Sequence, residues 1–351
     1  MVLLTELPEE IFFNICKHLD LVQDIVNFEA SHPSIEKKIY YTFWGQPKTL
    51  ILSDNYTEFG GLFNTPRIAT ADGQHFMLPT DDDSFISDII LKMRNLQEIY
   101  LGPLKRTDIM RRILFVLLES NLRLQKIVIL YNRPESLLDS SSKSRELWPS
   151  KSSHRKLVEL IKQQKETLNF LGLILGLNEY VSILWSPKRD RMSLEYHYTG
   201  SMDTRYRVVY PFLFNFTNTT SIPITLDISI KAQTNVAHFV LAHCIHSCVP
   251  HNHRYSLRNV HVRMFSANLS TDASSIFTLG AAIGDFKRLA TVSFYFDEPG
   301  MDKDGLDEIC NTSCSQSYDL KLSTPTYHRL VHKSVLIPCP LAHQPLLYCA
   351  S

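Results

Sequence analysis

The sequence carries no net charge: Lys+Arg and Asp+Glu both count 36 in 351 residues. A neutral chain lacks the clustered basic charge that holds nucleic acid or an anionic bilayer, so neither is expected as a partner. Long apolar runs are missing too. The most apolar stretch, residues 168–185, is interrupted by Asn178 and Glu179, and reads as core instead of a membrane span. The seven cysteines are odd in number and show no framework spacing, which points to free thiols in a reducing compartment. Glu6, Glu9 and Glu10 put acidic charge where a secretory leader would be basic. A cytoplasmic and/or nuclear protein is expected. None of G-x-S-x-G, H-E-x-x-H, C-x-x-C, the P-loop or G-x-G-x-x-G occurs, so no enzyme and no cofactor is expected.

What the chain does have is ordinary globular composition, 44% hydrophobic and 21% charged, in a length suited to two domains or to a small module plus an array. The densest cluster of metal-ligating types is His238, His243, Cys244, His246, Cys248, His251 and His253. A closed zinc site needs two well-placed ligand pairs. Cys244 and Cys248 are one helical turn apart, but His251 and His253 fall past the end of the predicted helix. The buried face of a helix accounts for the two cysteines, and no metal is expected. Cys310 and Cys314 form a weaker pair.

The first forty residues have a pattern of their own. Pro8 can open a helix, because the first turn leaves its missing N–H unpaired anyway, and Glu9 and Glu10 suit the helix dipole. Leu7, Ile11, Ile15 and Leu19 recur every four residues, giving one apolar side with Phe12 beside it. Asp20 and Gln23 have capping-box spacing for a second helix carrying Leu21, Ile25 and Phe28. A third helix is expected over residues 33–43, with Ile35, Ile39 and Phe43 inward. So small a module is at the limit of independent stability and holds more apolar side chains than its core needs. The surplus fits either a partner protein or a cap on the next domain.

The run Leu7-Pro8-Glu9-Glu10-Ile11, with Ile15, Leu19-Asp20, Asp24-Ile25, Phe28 and the Ser31-His32-Pro33 break, resembles an F-box over about 40 residues. The resemblance implies docking to the Skp-type adaptor of a cullin–RING ubiquitin ligase. Leu7, Pro8, Ile11, Ile15, Leu19 and Ile25 would be the docking residues.

Beyond this module the pattern L-x-x-L-x-L recurs, with Ile, Val or Phe substituting for Leu: Leu96-Ile99-Leu101, Leu124-Ile127-Ile129, Leu168-Leu171-Leu173, Leu257-Val260-Val262 and Leu289-Val292-Phe294. Shorter echoes stand at Leu50-Leu52, Leu194-Tyr196, Leu226-Ile228 and Leu320-Leu322. From Leu194 the anchors step by 32, 34, 32 and 28 residues. Helical patterns fill the gaps over residues 107–120 (with Thr107 as cap), 154–166, 234–248, 271–284 and 303–310. Strand alternating with helix predicts parallel pairing. A doubly wound sheet and a solenoid both satisfy this, and the shared strand motif favours the solenoid. The array resembles the leucine-rich repeats that follow F-boxes, although the Asn expected three residues past the last Leu occurs only as Asn132.

The expected fold is therefore α/β: a three-helix F-box at 1–45, and a leucine-rich-repeat-like solenoid at 46–325 with parallel strands concave and helices convex. A Ser-rich surface loop lies at 135–153 and a tail or cap at 326–351. Asp81, Asp82 and Asp83 read as a solvated turn before a helix. The exposed position between the last two anchors of each strand would line the concave face: Tyr100, Val128, Gly172, Glu195, Asp227, His261, Ser293 and Lys321. Of these, Tyr100, Glu195, Asp227, His261 and Lys321 are the candidate client-binding residues. The implied function is a substrate receptor joining a protein client to the adaptor and, through it, to a cullin. The alternatives are a repeat scaffold unconnected to ubiquitin, and an α/β enzyme with its site at the strand C-termini.

Overall fold

The apolar anchors of the repeats become buried strand positions. In the computed structural model Leu50, Ile99 and Ile127 stand side by side, as do Leu52, Leu101 and Ile129, and none of the six is exposed at all. The structure describes residues 6–53, 66–79, 82–104, 106–131, 149–176, 179–186, 191–198, 225–232, 258–265, 291–296, 319–326 and 329–331. The fold is mixed α/β with mostly parallel strands. The chain divides into two compact units. The first is residues 1–168 with 172–177; the second is residues 169–171 with 178–351.

The first unit opens with helices α1 (Glu9–Lys17), α2 (Val22–Ala30) and α3 (Pro33–Ile39), the last running into a π turn, Tyr40–Trp44. The turn is closed by Gly45 N donating to Tyr40 O at 2.8 Å. Strands β1 (Lys48–Leu52), β2 (Arg67–Thr70) and β3 (His75–Met77) follow, then α4 (Asp83–Lys92), β4 (Leu96–Leu101), α5 (Thr107–Glu119), β5 (Lys126–Leu130) and α6 (Lys151–Gln163). The strand order is β5-β4-β1-β2-β3. β1, β4 and β5 are parallel, whereas β2 and β3 are antiparallel neighbours at the edge. Gly73, at φ 84°, turns the chain between them, where a side chain would be strained.

The second unit holds β7 (Glu179–Ser186), β8 (Arg191–Tyr198), β9 (Thr225–Ala232), β10 (Asn259–Phe265), β11 (Thr291–Phe296), β12 (Asp319–Thr326) and β13 (Arg329–Val331). They are ordered β13-β12-β11-β10-β9-β8-β7. β8 through β12 are parallel; β7 and β13 pair antiparallel at either end of that run. β6 (Phe170–Gly176) is divided between the units.

Several expectations need correction. Asp20 does not cap α2: the cap position is Leu21, with no side-chain bond, and Gln23 instead donates to Asn27 at 3.0 Å. Pro8 sits one position before α1. Thr107 is the first residue of α5, whose cap position is Arg106. α6 begins earlier than its apolar pattern, because Ser150 accepts from Ser153 N at 3.2 Å, so the end of the Ser-rich stretch is a helix start. Asp82 caps α4 through Ser84 N and Phe85 N. Residues 168–185, read as one core segment, contribute to two strands. The anchors of β8 are also displaced: Met192 and Leu194, not Leu194 and Tyr196, oppose Leu226 and Ile228. The predicted helices at 234–248, 271–284 and 303–310, the His/Cys cluster at 238–253, Cys310, Cys314, Asn132 and most of the Ser-rich loop lie outside the described residues. Of the tail, β13 pairs with the end of β12.

Candidate functional site

The helical module fills its own interior and still has apolar side chains to spare. Phe12 and Cys16, one turn apart on α1, are fully buried. Phe12 stacks on Phe28 with ring centroids 6.1 Å apart, and Lys38 Nζ lies over the Phe12 ring, 4.9 Å from its centroid, while donating to Leu7 O. Val22, Ile25, Ile35, Ile39, Phe43 and Trp44 complete the core at 2% exposure or less. Beside that buried stripe runs a second one. Ile11 is 40% exposed, Ile15, Leu19 and Leu7 are half-buried, and Pro8 is exposed. The helical period separates the two stripes, since neighbours on α1 are about 100° apart. Ile25 is the exception among the expected docking residues. It points into the module and cannot meet a partner without unfolding it.

Leu21 is 39% exposed and Met77, on the edge strand, 48%. They are partners in an isolated parallel bridge, with Met77 N donating to Asp20 O at 2.8 Å. Neither was among the expected site residues, because the strand that brings Met77 alongside is only three residues long and carries no repeat motif.

The same helices are tied into the strands of the first unit. The rings of Phe43 and Phe76 meet edge-on at 5.1 Å. Glu29, 3% exposed, receives Trp44 Nε1 at 3.1 Å and Lys92 Nζ at 2.8 Å. Asn95 donates to Gly45 O at 2.7 Å, and Lys17 pairs with Asp72 at 2.6 Å. Lys48 is buried and donates to Phe43 O at 2.5 Å, with its ammonium 4.6 Å from the Phe43 ring centroid. Burial pushes its pKa down to about 8. Burial, reinforced by Glu29, pushes the Cys16 thiol up to about 11.

The expected client-binding residues fall in both units. In the first, Tyr100 packs half-buried against the cluster of Ile51 and Leu130, as does Ile174, with Lys126 5.1 Å from the Tyr100 ring centroid. Val128 is 4% exposed and Gly172 is buried, so neither lines an open face.

In the second unit the described side chains of β8, β9 and β10 separate into two faces. Met192, Leu194, Leu226, Ile228 and Val260 are buried. Among the described side chains, the alternate positions on β8, β9 and β10 are polar and at least partly exposed. Parallel sheets are ordinarily apolar on both sides, so the partly exposed polar side chains described on these strands set them apart. Asp227, His261, Ser293 and Lys321 occupy one row across β9 to β12. Glu195 belongs to the next row, opposite Ser229, and Ser193 takes the place beside Asp227. Asp227 is engaged by Arg191 through both Nε and Nη2, the latter at 2.8 Å from Oδ1. Glu195 is hydrogen-bonded to Tyr180, whose ring meets His197 edge-on at 5.4 Å. Arg191 was missed because it precedes the repeat motif, yet strand alternation places it on the same face.

Among the described residues no group of three or more His, Cys, Asp or Glu could hold a metal ion, and no helix is long and apolar enough to cross a membrane. Compared with family models, curated proteins and solved structures, the chain matches none.

Proposed function

We propose that the chain is the substrate-recognition subunit of a cullin–RING ubiquitin ligase. Its N-terminal helices would dock on a Skp-type adaptor, and the polar sheet face would hold a protein client. The observation that carries this reading is the second apolar stripe on α1. The helical core is already full, yet Ile11 stays 40% exposed, with Ile15 and Leu19 only half-covered beside it. Apolar surface left bare next to a finished core costs free energy in water that a partner can recover. These are also positions at which the sequence resembles an F-box. The repeated strand motif and the polar face of the second unit support a leucine-rich-repeat-like array. Its part in catalysis would be proximity, raising the effective concentration of client near the transferring subunits, with no chemistry on this chain.

The test is co-purification of the full chain with a Skp-type adaptor. Ile11→Asp with Leu19→Asp should abolish it while leaving the unfolding midpoint near that of the unaltered chain. Retained binding in that variant, or no binding by the unaltered chain, rejects the reading.

A second reading, a scaffold whose helices simply cap the array, draws support from the Glu29–Lys92 and Phe43–Phe76 contacts that knit those helices to the strands. It predicts no adaptor binding at all.

A further inference from the structure

The buried positions of α4 and α5 follow one count. Ile86, Ile89, Ile90 and Met93 are covered at the first, Met110, Ile113, Leu114 and Leu117 at the second. Five residues past the first of each set stand Leu91 and Phe115, and both are bare, at 57% and 54% exposure. On α6 the same count, through Leu157, Leu160, Ile161 and Gln164, arrives at Lys162, which is exposed. The helices pack in sequence, α4 on α5 and α5 on α6. Gln163 Nε2 donates to Leu118 O at 2.8 Å, so the ends of α5 and α6 are level. Leu91, Phe115 and Lys162 thus make one line across the three helices, apolar at one end and cationic at the other. We infer that this line is a docking surface for an acidic amphipathic helix of a partner protein.

Packed helices lie about 8–10 Å apart, and two turns of a helix rise by about 10.5 Å. A partner helix laid across α4, α5 and α6 therefore sets apolar side chains at i and i+7 against Leu91 and Phe115, and its following turns over α6. The charge is arranged for such a partner. Arg111, exposed, is one turn before Phe115 on the same face. Lys156 reaches across from α6, with Nζ 5.4 Å from the Phe115 ring centroid. Neither Arg111, Lys156 nor Lys162 makes a salt bridge among the described residues. Carboxylates on the partner's later turns would meet these three cations, which fixes its direction along the line. A bilayer or a nucleic acid fits less well. Asp88, Glu119 and Glu159 are exposed within one turn of Leu91, Phe115 and Lys162, and a continuous phosphate surface is repelled by them. A helix touches only along one stripe and leaves them in water. The surface shares no residue with α1 and does not depend on adaptor docking.

The probe is a fluorescein-labelled helical peptide in an alanine–glutamine frame, with two leucines seven residues apart and glutamates through the next two turns. Titrated with the full chain and read by anisotropy, it should bind ten-fold or more tightly than a version with glutamine for glutamate or serine for leucine. Raised salt should weaken it. Leu91→Ser with Phe115→Ser should erase the advantage of the leucines. Arg111→Gln with Lys156→Gln and Lys162→Gln should erase that of the glutamates. Lys37→Gln, on α3, should leave both intact. The substituted side chains are at the surface, and circular dichroism verifies that each variant is folded. Equal binding of the three peptides overturns the inference, as does a preference that survives both sets of substitutions. Phosphatidylserine vesicles or single-stranded DNA bound through these residues, without a peptide preference, overturn it in favour of a membrane or a nucleic acid. Ile11→Asp with Leu19→Asp should bind the peptide normally, so loss of adaptor binding and loss of this surface are separate results.

Discussion

The indole N–H of Trp44 donates to Oε2 of Glu29 at 3.1 Å, with both side chains shut away from solvent. The other oxygen of the same carboxylate receives Lys92 from α4. A buried charge held by two donors from different elements is expensive to disturb, because removing one leaves the rest without compensation. Trp44→Phe should lower stability by about 1–3 kcal/mol. Urea unfolding followed by fluorescence or far-ultraviolet circular dichroism measures the loss. An unchanged midpoint would show that the bond contributes nothing.

Ile11 and Phe12 are neighbours in sequence with opposite fates in the fold. Phe12→Ala should cost about 3–5 kcal/mol by opening a cavity between α1 and α2. Ile11→Ala should move stability by about 0.5 kcal/mol or less, as for other surface sites. Thermal unfolding of the two variants side by side checks the assignment of faces. Equal losses would mean that the exposed stripe is packed.

Lys48 and Cys16 should leave opposite marks on the pH dependence of stability. The folded-state pKa of Lys48 is depressed to about 8 from 10.5. Below pH 8 the ammonium is buried and charged. Between 8 and 10.5 the unfolded chain holds the extra proton, so stability rises with pH, by up to about 3 kcal/mol. The Cys16 thiol is raised to about 11 from 9.0. Between those values the unfolded chain ionises first, so stability falls. Lys48→Met should remove the gain that begins at pH 8, and Cys16→Ala the loss that begins at pH 9. Urea midpoints from pH 7 to 10 test this, and parallel profiles for the variants and the parent would contradict it.

Gly102 follows β4 with no room for a side chain. A Cβ there would lie 2.5 Å from Ser53 Oγ and 2.8 Å from Ser53 Cβ. The hydroxyl can rotate away but the carbon cannot. Gly102→Val should destabilise by about 1–3 kcal/mol, while Gly102→Val with Ser53→Gly should recover part of the loss. Absence of that rescue would place the strain elsewhere.

Ser150→Ala should cost about 1 kcal/mol through the lost cap of α6. The same change at Asp20, which precedes α2 without capping it, should leave the denaturation curve where it was. A comparable loss at Asp20 would restore the capping box that its spacing suggests.

The strand anchors were legible because burial and pairing both act on the same residues. Leu50, Ile99 and Ile127 share a motif, and the motif puts them in one row. The helix faces were only half legible. Ile11 and Phe12 are both apolar, so periodicity marks a broad stripe and tertiary packing chooses which edge of it turns inward. The β8 register was mistaken because Met192, Leu194 and Tyr196 all alternate correctly, and a period of two cannot tell one pair from the next. β3 is too short to announce itself, and nothing local distinguishes a buried Lys48 from the other lysines. On the polar face the row of Asp227, His261, Ser293 and Lys321 followed from the motif, but the place of Glu195 one row away and the pairing of Asp227 with Arg191 needed the strand register.

The regular alternation along β8 has a consequence for how that strand tolerates insertions. Sliding a strand by two positions returns every side chain to the side of the sheet it left, so the oily and watery surfaces survive the shift. A slide of one would turn the strand inside out. Insertion of two residues within β8 should therefore leave both surfaces in place, whereas insertion of one should expose the oily side.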